Sequence, residues 1–353
     1  MKDLRTEKII LYGAGYAGLH FCELLKDVGI SPTFFLDGDR RKEGKYWRGI
    51  EIKNFSAELE ISADTLVIVC LLSKDKVYED IVQRLKLLGV NRVVHMQEIQ
   101  KDEKYKWLFR NQNLILYADP HKIMEYQIEY DKVMIKLEKD SAEIYRSILG
   151  YLLNGFEGKI DSRPIEEQYW AYDLFYKNRK EIVFDCGAYN GAVLDFFINQ
   201  NEEFGHYYAF EPDKRNAEII ENKNRKNVTV IKKALSNKKE LLLMRNYMDM
   251  NSVILPNGDF QIESMRLDEM GVLPTFIKID VEGYEEKTLL GAERILSRGR
   301  PIIACAMYHS LEQLWKVPQL IYEMTTDYVY CIRSYMNIYE TIFYAIPKER
   351  WCR

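Results

Sequence analysis

Short apolar runs alternate with stretches of helical period through the first hundred residues. Lys8-Ile-Ile-Leu-Tyr12 predicts a buried strand, and Gly13-Ala-Gly-Tyr-Ala-Gly18 then opens an apolar-periodic helix that runs through Leu25. Thr33-Phe-Phe-Leu36, ending at Asp37, and Thr65-Leu-Val-Ile-Val-Cys70 read as further strands. Val77 to Leu88 repeats the helical period before a fourth strand, Arg92-Val-Val-His95. Such alternation predicts a parallel sheet with right-handed crossovers, a Rossmann-like domain over residues 1–100.

Residues 101–164 carry mixed charge over a helical pattern. Ile128, Val133, Ile135, Leu137, Ile144, Ile148 and Leu152 are its expected apolar face. The stretch ends in Asn154-Gly-Phe-Glu-Gly158, and Pro164 marks a break. It reads as a helical connector that caps a cleft or pairs two subunits in a homodimer, or as a spacer packed on its own domain.

The α/β alternation resumes in residues 165–353, now with acids at the strand ends. Ile182-Val-Phe-Asp-Cys-Gly-Ala-Tyr-Asn-Gly191 is a buried strand leading through Asp185 into a glycine-bearing turn. Tyr207-Tyr-Ala-Phe-Glu-Pro-Asp213 is a second strand, with Glu211 at its end. Gly187 and Gly191 let backbone approach a ligand closely, and open α/β sheets bind ligands at the carboxyl ends of their strands. Glu211 can accept hydrogen bonds from both hydroxyls of a ribose. An acid in the glycine turn favours a sulfonium and an amino group over a pyrophosphate. Together these features suit S-adenosylmethionine.

Pro274-Thr-Phe-Ile-Lys-Ile-Asp-Val-Glu-Gly-Tyr-Glu285 places Asp280 and Glu282 just past another strand. Combined with Glu167-Gln-Tyr169, Val230-Ile-Lys-Lys-Ala-Leu-Ser236, Asn251-Ser252 and Leu289-Leu-Gly-Ala292, the last half of the chain resembles the FkbM-type methyltransferases. That resemblance implies a class I methyltransferase domain with a seven-stranded, doubly wound sheet. Pro301 to Met307, Tyr328 to Ile332 and Glu340 to Ala345 are expected to complete the sheet, with one reversed edge strand. The resemblance also implies an S-adenosylmethionine site built from Gln168, Tyr169, Asp185, Gly187, Ala188, Tyr189, Gly191, Glu211, Pro212, Ala234, Leu235 and Asp280. The acceptor it implies is a hydroxyl on a sugar, glycan or related small molecule.

His309 follows the Met307 strand and is expected beside Asp280 and Glu282, as the general base that deprotonates an alcohol acceptor. A carboxylate pair beside a histidine also suits Mg²⁺, although no metal site is assigned on sequence alone. In the first domain Gly13, Gly15 and Gly18 follow a strand, and Asp37 stands about 22 residues after Gly15, the context of a dinucleotide fingerprint. This segment loosely resembles the amino-terminal domain of sugar-nucleotide acetyltransferases. A nucleotide-sugar grip, a relic dinucleotide site and a docking module without ligand all remain open. The rival functions are an NAD-dependent sugar oxidoreductase using these glycines, and a non-catalytic binding or scaffold protein.

Composition narrows the field. The chain has 353 residues, enough for two domains, and 47% of them are hydrophobic, enough for two cores. A net charge of −4 leaves no footprint for nucleic-acid backbone. The start, Met1-Lys-Asp-Leu-Arg-Thr-Glu, carries acids and leads straight into a strand, unlike a signal peptide. Six cysteines lie mostly inside apolar runs without C-x-x-C spacing, so a reducing, cytoplasmic setting is expected. No apolar run reaches the length of a membrane span.

Overall fold

In a computed structural model the chain divides into two compact units, Met1–Gln112 with Tyr247–Met250, and Asn113–Asn246 with Asn251–Arg353. The structure describes residues 3–55, 59–72, 76–110, 112–247 and 252–352.

The first unit holds β1 (Ile9–Tyr12), α1 (Tyr16–Asp27), β2 (Phe34–Leu36), β3 (Tyr46–Trp47), β4 (Ile50–Lys53) and β5 (Leu66–Val69). It continues with α2 (Lys76–Leu87), β6 (Arg92–His95), α3 (Met96–Lys101) and α4 (Lys106–Phe109). Its six-stranded sheet runs β3-β4-β2-β1-β5-β6. All pairings are parallel except β3 with β4. β1 and β5 are buried along their whole length, as parallel strands covered on both faces must be. The β3–β4 hairpin is an addition to the sequence reading. Arg48 (φ 51°) and Gly49 (φ 81°) form its two-residue turn, the left-handed pair that matches strand twist.

The stretch expected as a connector over 101–164 divides between the units, the second beginning at Asn113. There α5 (Pro120–Glu125), α6 (Gln127–Met134) and α7 (Lys139–Leu153) pack within the second unit. Val133, Ile148 and Leu152 are buried as expected, but Ile128 and Ile135 are 70% and 81% exposed. Tyrosines line the inner face in their place. Tyr130 and Tyr145 are fully buried, and their hydroxyls donate to the carbonyls of Leu311 and Leu314 at 3.4 and 2.7 Å. A tyrosine ring is an apolar body with one polar tip, so a hydropathy pattern underrates it.

The second unit continues with β7 (Ile182–Cys186), α8 (Ala192–Gln200), β8 (His206–Phe210), α9 (Lys214–Asn222) and β9 (Val228–Ile231). Four short strands follow: β10 (Ala234–Leu235), β11 (Leu241–Asn246), β12 (Ser252–Ile254) and β13 (Phe260–Met265). The unit closes with β14 (Phe276–Ile279), α10 (Glu285–Leu290), α11 (Glu293–Gly299), β15 (Ile302–Ala306), α12 (Gln313–Met324), β16 (Tyr328–Ser334) and β17 (Thr341–Pro347). The main sheet has seven strands in the order β16-β17-β15-β14-β7-β8-β9. It is the doubly wound class I arrangement that the sequence implies, with one correction. The reversed strand is not at the edge: β17 pairs antiparallel with both β15 and β16, and β16 forms the edge. Every residue of β17 is buried, as an interior strand requires, which fits its unbroken apolar run. The small sheet β10-β13-β11-β12 stands apart from it. Among the described residues no helix is long and apolar enough to cross a membrane.

Candidate active site

The site begins where β7 runs out. Gly187 turns the chain at φ 87°, and a Cβ there would lie 1.8 Å from the carbonyl oxygen of Asp280. Only glycine lets the ends of β7 and β14 approach this closely. The amides of Gly187 and Ala188 then donate to the carbonyl of Phe210, the last residue of β8. This crossing sets Glu211 against the turn. The Tyr189 amide donates to its Oε2 at 2.7 Å, and the Asp213 amide donates to its Oε1 at 2.9 Å. Burial raises the Glu211 pKa to about 7, although both amides act to lower it.

Two clefts flank this turn. One is lined by Gly187, Tyr189, Glu211, Pro212, Ala234 and Leu235 and reaches Asp280 and Glu282. The other is lined by Gln168, Tyr169, Ala188, Tyr308 and Glu340, and shares Gly187, Tyr189, Asp280 and Glu282 with the first. Ser252, from the expected serine turn, opens β12 and lines the first cleft. Asn251 lies outside the described residues.

Two expected cofactor contacts sit elsewhere. Asp185 is fully buried inside β7 and does not reach either cleft. Its carboxylate takes the Tyr207 hydroxyl at 2.7 Å and pairs with the Lys278 ammonium at 2.9 Å, its neighbour in strand register. Burial works against the charge on Lys278, but Asp185 and Asp280 outweigh it and raise its pKa. Lys278 in turn donates to the carbonyl of Gly187. Asp185 therefore braces the glycine turn from below. Gly191 is likewise a hinge: it caps α8 at φ 76°, and a Cβ would press on Ile220 at 3.0 Å.

The expected gathering of His309, Asp280 and Glu282 is present. His309 is 5% exposed, with Nε2 3.5 Å from Asp280 Oδ1 and 3.4 Å from Glu282 Oε2, and Nδ1 3.2 Å from Glu285 Oε1. Burial disfavours a charged imidazole, yet Glu285 and Glu282 outweigh it and raise the His309 pKa well above the ordinary histidine value. Asp280 is clamped through Oδ2 by the hydroxyls of Tyr169 and Tyr308. Sequence reasoning did not single out Tyr308, Lys278, Glu285 or Glu340. Glu340 accepts from Gln168 Nε2 at 2.7 Å, and burial followed by repulsion from Asp280 raises its pKa to about 7. The sequence signals for this group were Lys278, a charge in the middle of an apolar strand, and Glu285, the last residue of the run from Pro274.

In the first unit the glycine turn is accounted for by packing. A Cβ on Gly18 would lie 1.7 Å from the Gly13 carbonyl oxygen, and Gly13 sits at φ 99°, whereas Gly15 has open space. Asp37 folds back on this turn. Its Oδ2 accepts from the Ala14 amide at 2.7 Å and from Lys42 at 3.0 Å, and its Oδ1 accepts from the Asp39 amide.

Comparison with known proteins agrees with this architecture. Residues 185–338 match the model of the methyltransferase FkbM domain. Among solved structures, the chain is similar to the methyltransferase FkbM from Methylobacillus flagellatus KT at 20% identity and a TM-score of 0.70. That likeness, which is one of fold, covers 97% of this chain and 90% of the other. A putative rRNA-methylase from Clostridium thermocellum gives 14% identity and a TM-score of 0.36 over 54% of this chain and 99% of the other, too low to carry an argument. No curated protein matches the chain. Residues 185–338 of the second unit are thus similar to the FkbM methyltransferase domain, on a class I methyltransferase fold.

Proposed function

We propose that this protein is an S-adenosylmethionine-dependent O-methyltransferase acting on a hydroxyl of a sugar, glycan or related small molecule. The observation that carries the reading is Glu211: a buried acid at a strand end, pinned by two amides and lining a cleft at the carboxyl edge of the sheet. Its remaining lone pairs suit ribose hydroxyls, and Pro212, Ala234 and Leu235 offer an apolar bed for a purine. Asp280 and Glu282, shared by both clefts, place negative charge where a sulfonium and an amino group would lie. When bound, the cofactor supplies an electrophilic methyl group. The chain's part is alignment: Tyr169, Tyr308 and Glu340 line the second cleft, where an acceptor hydroxyl would be held in line.

The acceptor class rests on the family resemblance and on the loose likeness of the first unit to sugar-nucleotide-binding domains. Methyl-deuterated S-adenosylmethionine, incubated with the protein and a panel of sugars and nucleotide-sugars, tests it by mass spectrometry. The expected product carries the label as an alkali-stable methyl ether. Label on nitrogen or carbon acceptors alone would overturn the O-methyl assignment.

A further inference from the structure

The cluster around His309 has a geometry that an ion pair alone does not explain. A charged imidazolium bonded to carboxylate draws its N–H···O contacts to about 2.7–2.9 Å. Here the three contacts stand at 3.2–3.5 Å, and neither ring nitrogen makes a well-directed hydrogen bond although the ring is buried. Asp280 Oδ1 is likewise buried and without a hydrogen bond, while Oδ2 of the same carboxylate is held by two tyrosines. Asp280 and Glu282 face Nε2, whereas Glu285, which with Asp280 and His309 places one ligand atom each within 4.8 Å, faces Nδ1.

Glu285 is already engaged. Its Oε1 accepts from the amides of Val281 and Gly283, and its Oε2 from Gln313. Facing Nδ1, it is placed to accept that N–H and so direct Nε2 towards Asp280 and Glu282, the arrangement found behind metal-bound histidines. Glu282 is aimed there by a backbone that side chains seldom adopt, at φ 52°, with Gly283 following at φ 96°.

We propose that His309 Nε2, Asp280 Oδ1 and Glu282 Oε2 hold a small divalent cation of the Mg²⁺ or Mn²⁺ kind on the wall shared by the two clefts. Two atoms each about 2.1 Å from one ion, at 90–110° to each other, stand about 3.0–3.4 Å apart. The observed Nε2···O separations of 3.4 and 3.5 Å are close to that spacing. Two carboxylates with no thiolate suit a hard divalent ion, and the imidazole favours Mn²⁺ over Mg²⁺. Asp280 and Glu282 line both clefts, so the remaining coordination positions would open towards ligand. On the methyl-transfer reading, the ion would polarise an acceptor hydroxyl held beside it. Metal binding itself does not depend on that reading.

The test is a titration of the full chain with Mn²⁺ in the absence of cofactor, following free Mn²⁺ by electron paramagnetic resonance. The expected result is one ion per chain, displaced by excess Mg²⁺. Glu282→Gln and His309→Gln should each weaken binding by at least about tenfold, whereas Glu286→Gln, a salt-bridged residue on the neighbouring helix, should not. Glu282 is on the cleft wall, so its variant tests the site even if the His309 variant unfolds. No saturable binding at millimolar Mn²⁺, or equal binding by wild type and Glu282→Gln, would overturn the proposal. Calorimetry with S-adenosylmethionine on the same samples separates this outcome from failure of the methyltransferase reading.

Discussion

Glu211→Gln offers a test in which stability and function move apart. In the folded chain burial raises the Glu211 pKa to about 7, against 4.5 for the free side chain. The folded state therefore prefers the protonated acid. Its contribution to stability is fully present below pH 4.5 and is lost as pH rises through 7. A tenfold change in proton affinity is worth about 1.4 kcal/mol, so the loss between pH 5 and pH 8 amounts to about 2–3 kcal/mol. Glutamine does not titrate, so the difference in unfolding free energy between wild type and Glu211→Gln should fall by that amount over the same range. Any constant cost of turning an amide NH₂ towards the Tyr189 or Asp213 N–H cancels from this slope. Urea unfolding followed by circular dichroism at pH 5, 6, 7 and 8 gives the difference directly. A flat difference would refute the view that Glu211 is a desolvated acid held ready for a ligand's hydroxyl donors.

Other perturbations probe the frame around it. Asp185→Asn leaves the Lys278 ammonium buried without its counter-charge, and thermal unfolding should show a loss of about 3–5 kcal/mol; a change below about 1 kcal/mol would deny the brace under the glycine turn. Gly187→Ala drives a Cβ into the Asp280 carbonyl oxygen and should abolish S-adenosylmethionine binding in calorimetry, while Gly15→Ala, with open space at its Cα, should leave unfolding unchanged. Gly18→Ala should destabilise the first unit, and equal melting of the two first-unit variants would contradict the packing account. Tyr145→Phe removes a hydroxyl from the Leu314 carbonyl and should cost about 1–2 kcal/mol in urea unfolding, against no change if that contact is idle.

The strand ends were the legible part of this chain. Apolar runs closed by an acid or a glycine located β1, β7, β8 and β14, because a covered parallel strand leaves little freedom in its composition. Position alone brought Glu211, Asp280 and Glu282 to the wall of one cleft. What each acid does there was less visible. Asp185 and Glu211 read alike in sequence, yet one is neutralised by Lys278 across the strand register while the other meets only amides. Pairing across strands is a tertiary fact that local pattern does not contain. The same holds for His309, expected beside Asp280 and Glu282 and found also 3.2 Å from Glu285. The insertion of β17 between β15 and β16 also eluded the pattern, since a hairpin reads the same whichever of its strands lies inside.

The central claim is that the cleft beside Glu211 binds S-adenosylmethionine through its ribose, and calorimetry on the full chain tests it most directly. Wild type should bind one S-adenosylmethionine, and Glu211→Ala should weaken that binding by about tenfold to a hundredfold, the equivalent of a lost charged hydrogen bond of about 1.5–3 kcal/mol. Absence of binding by wild type, or equal affinity in the two proteins, would contradict the account.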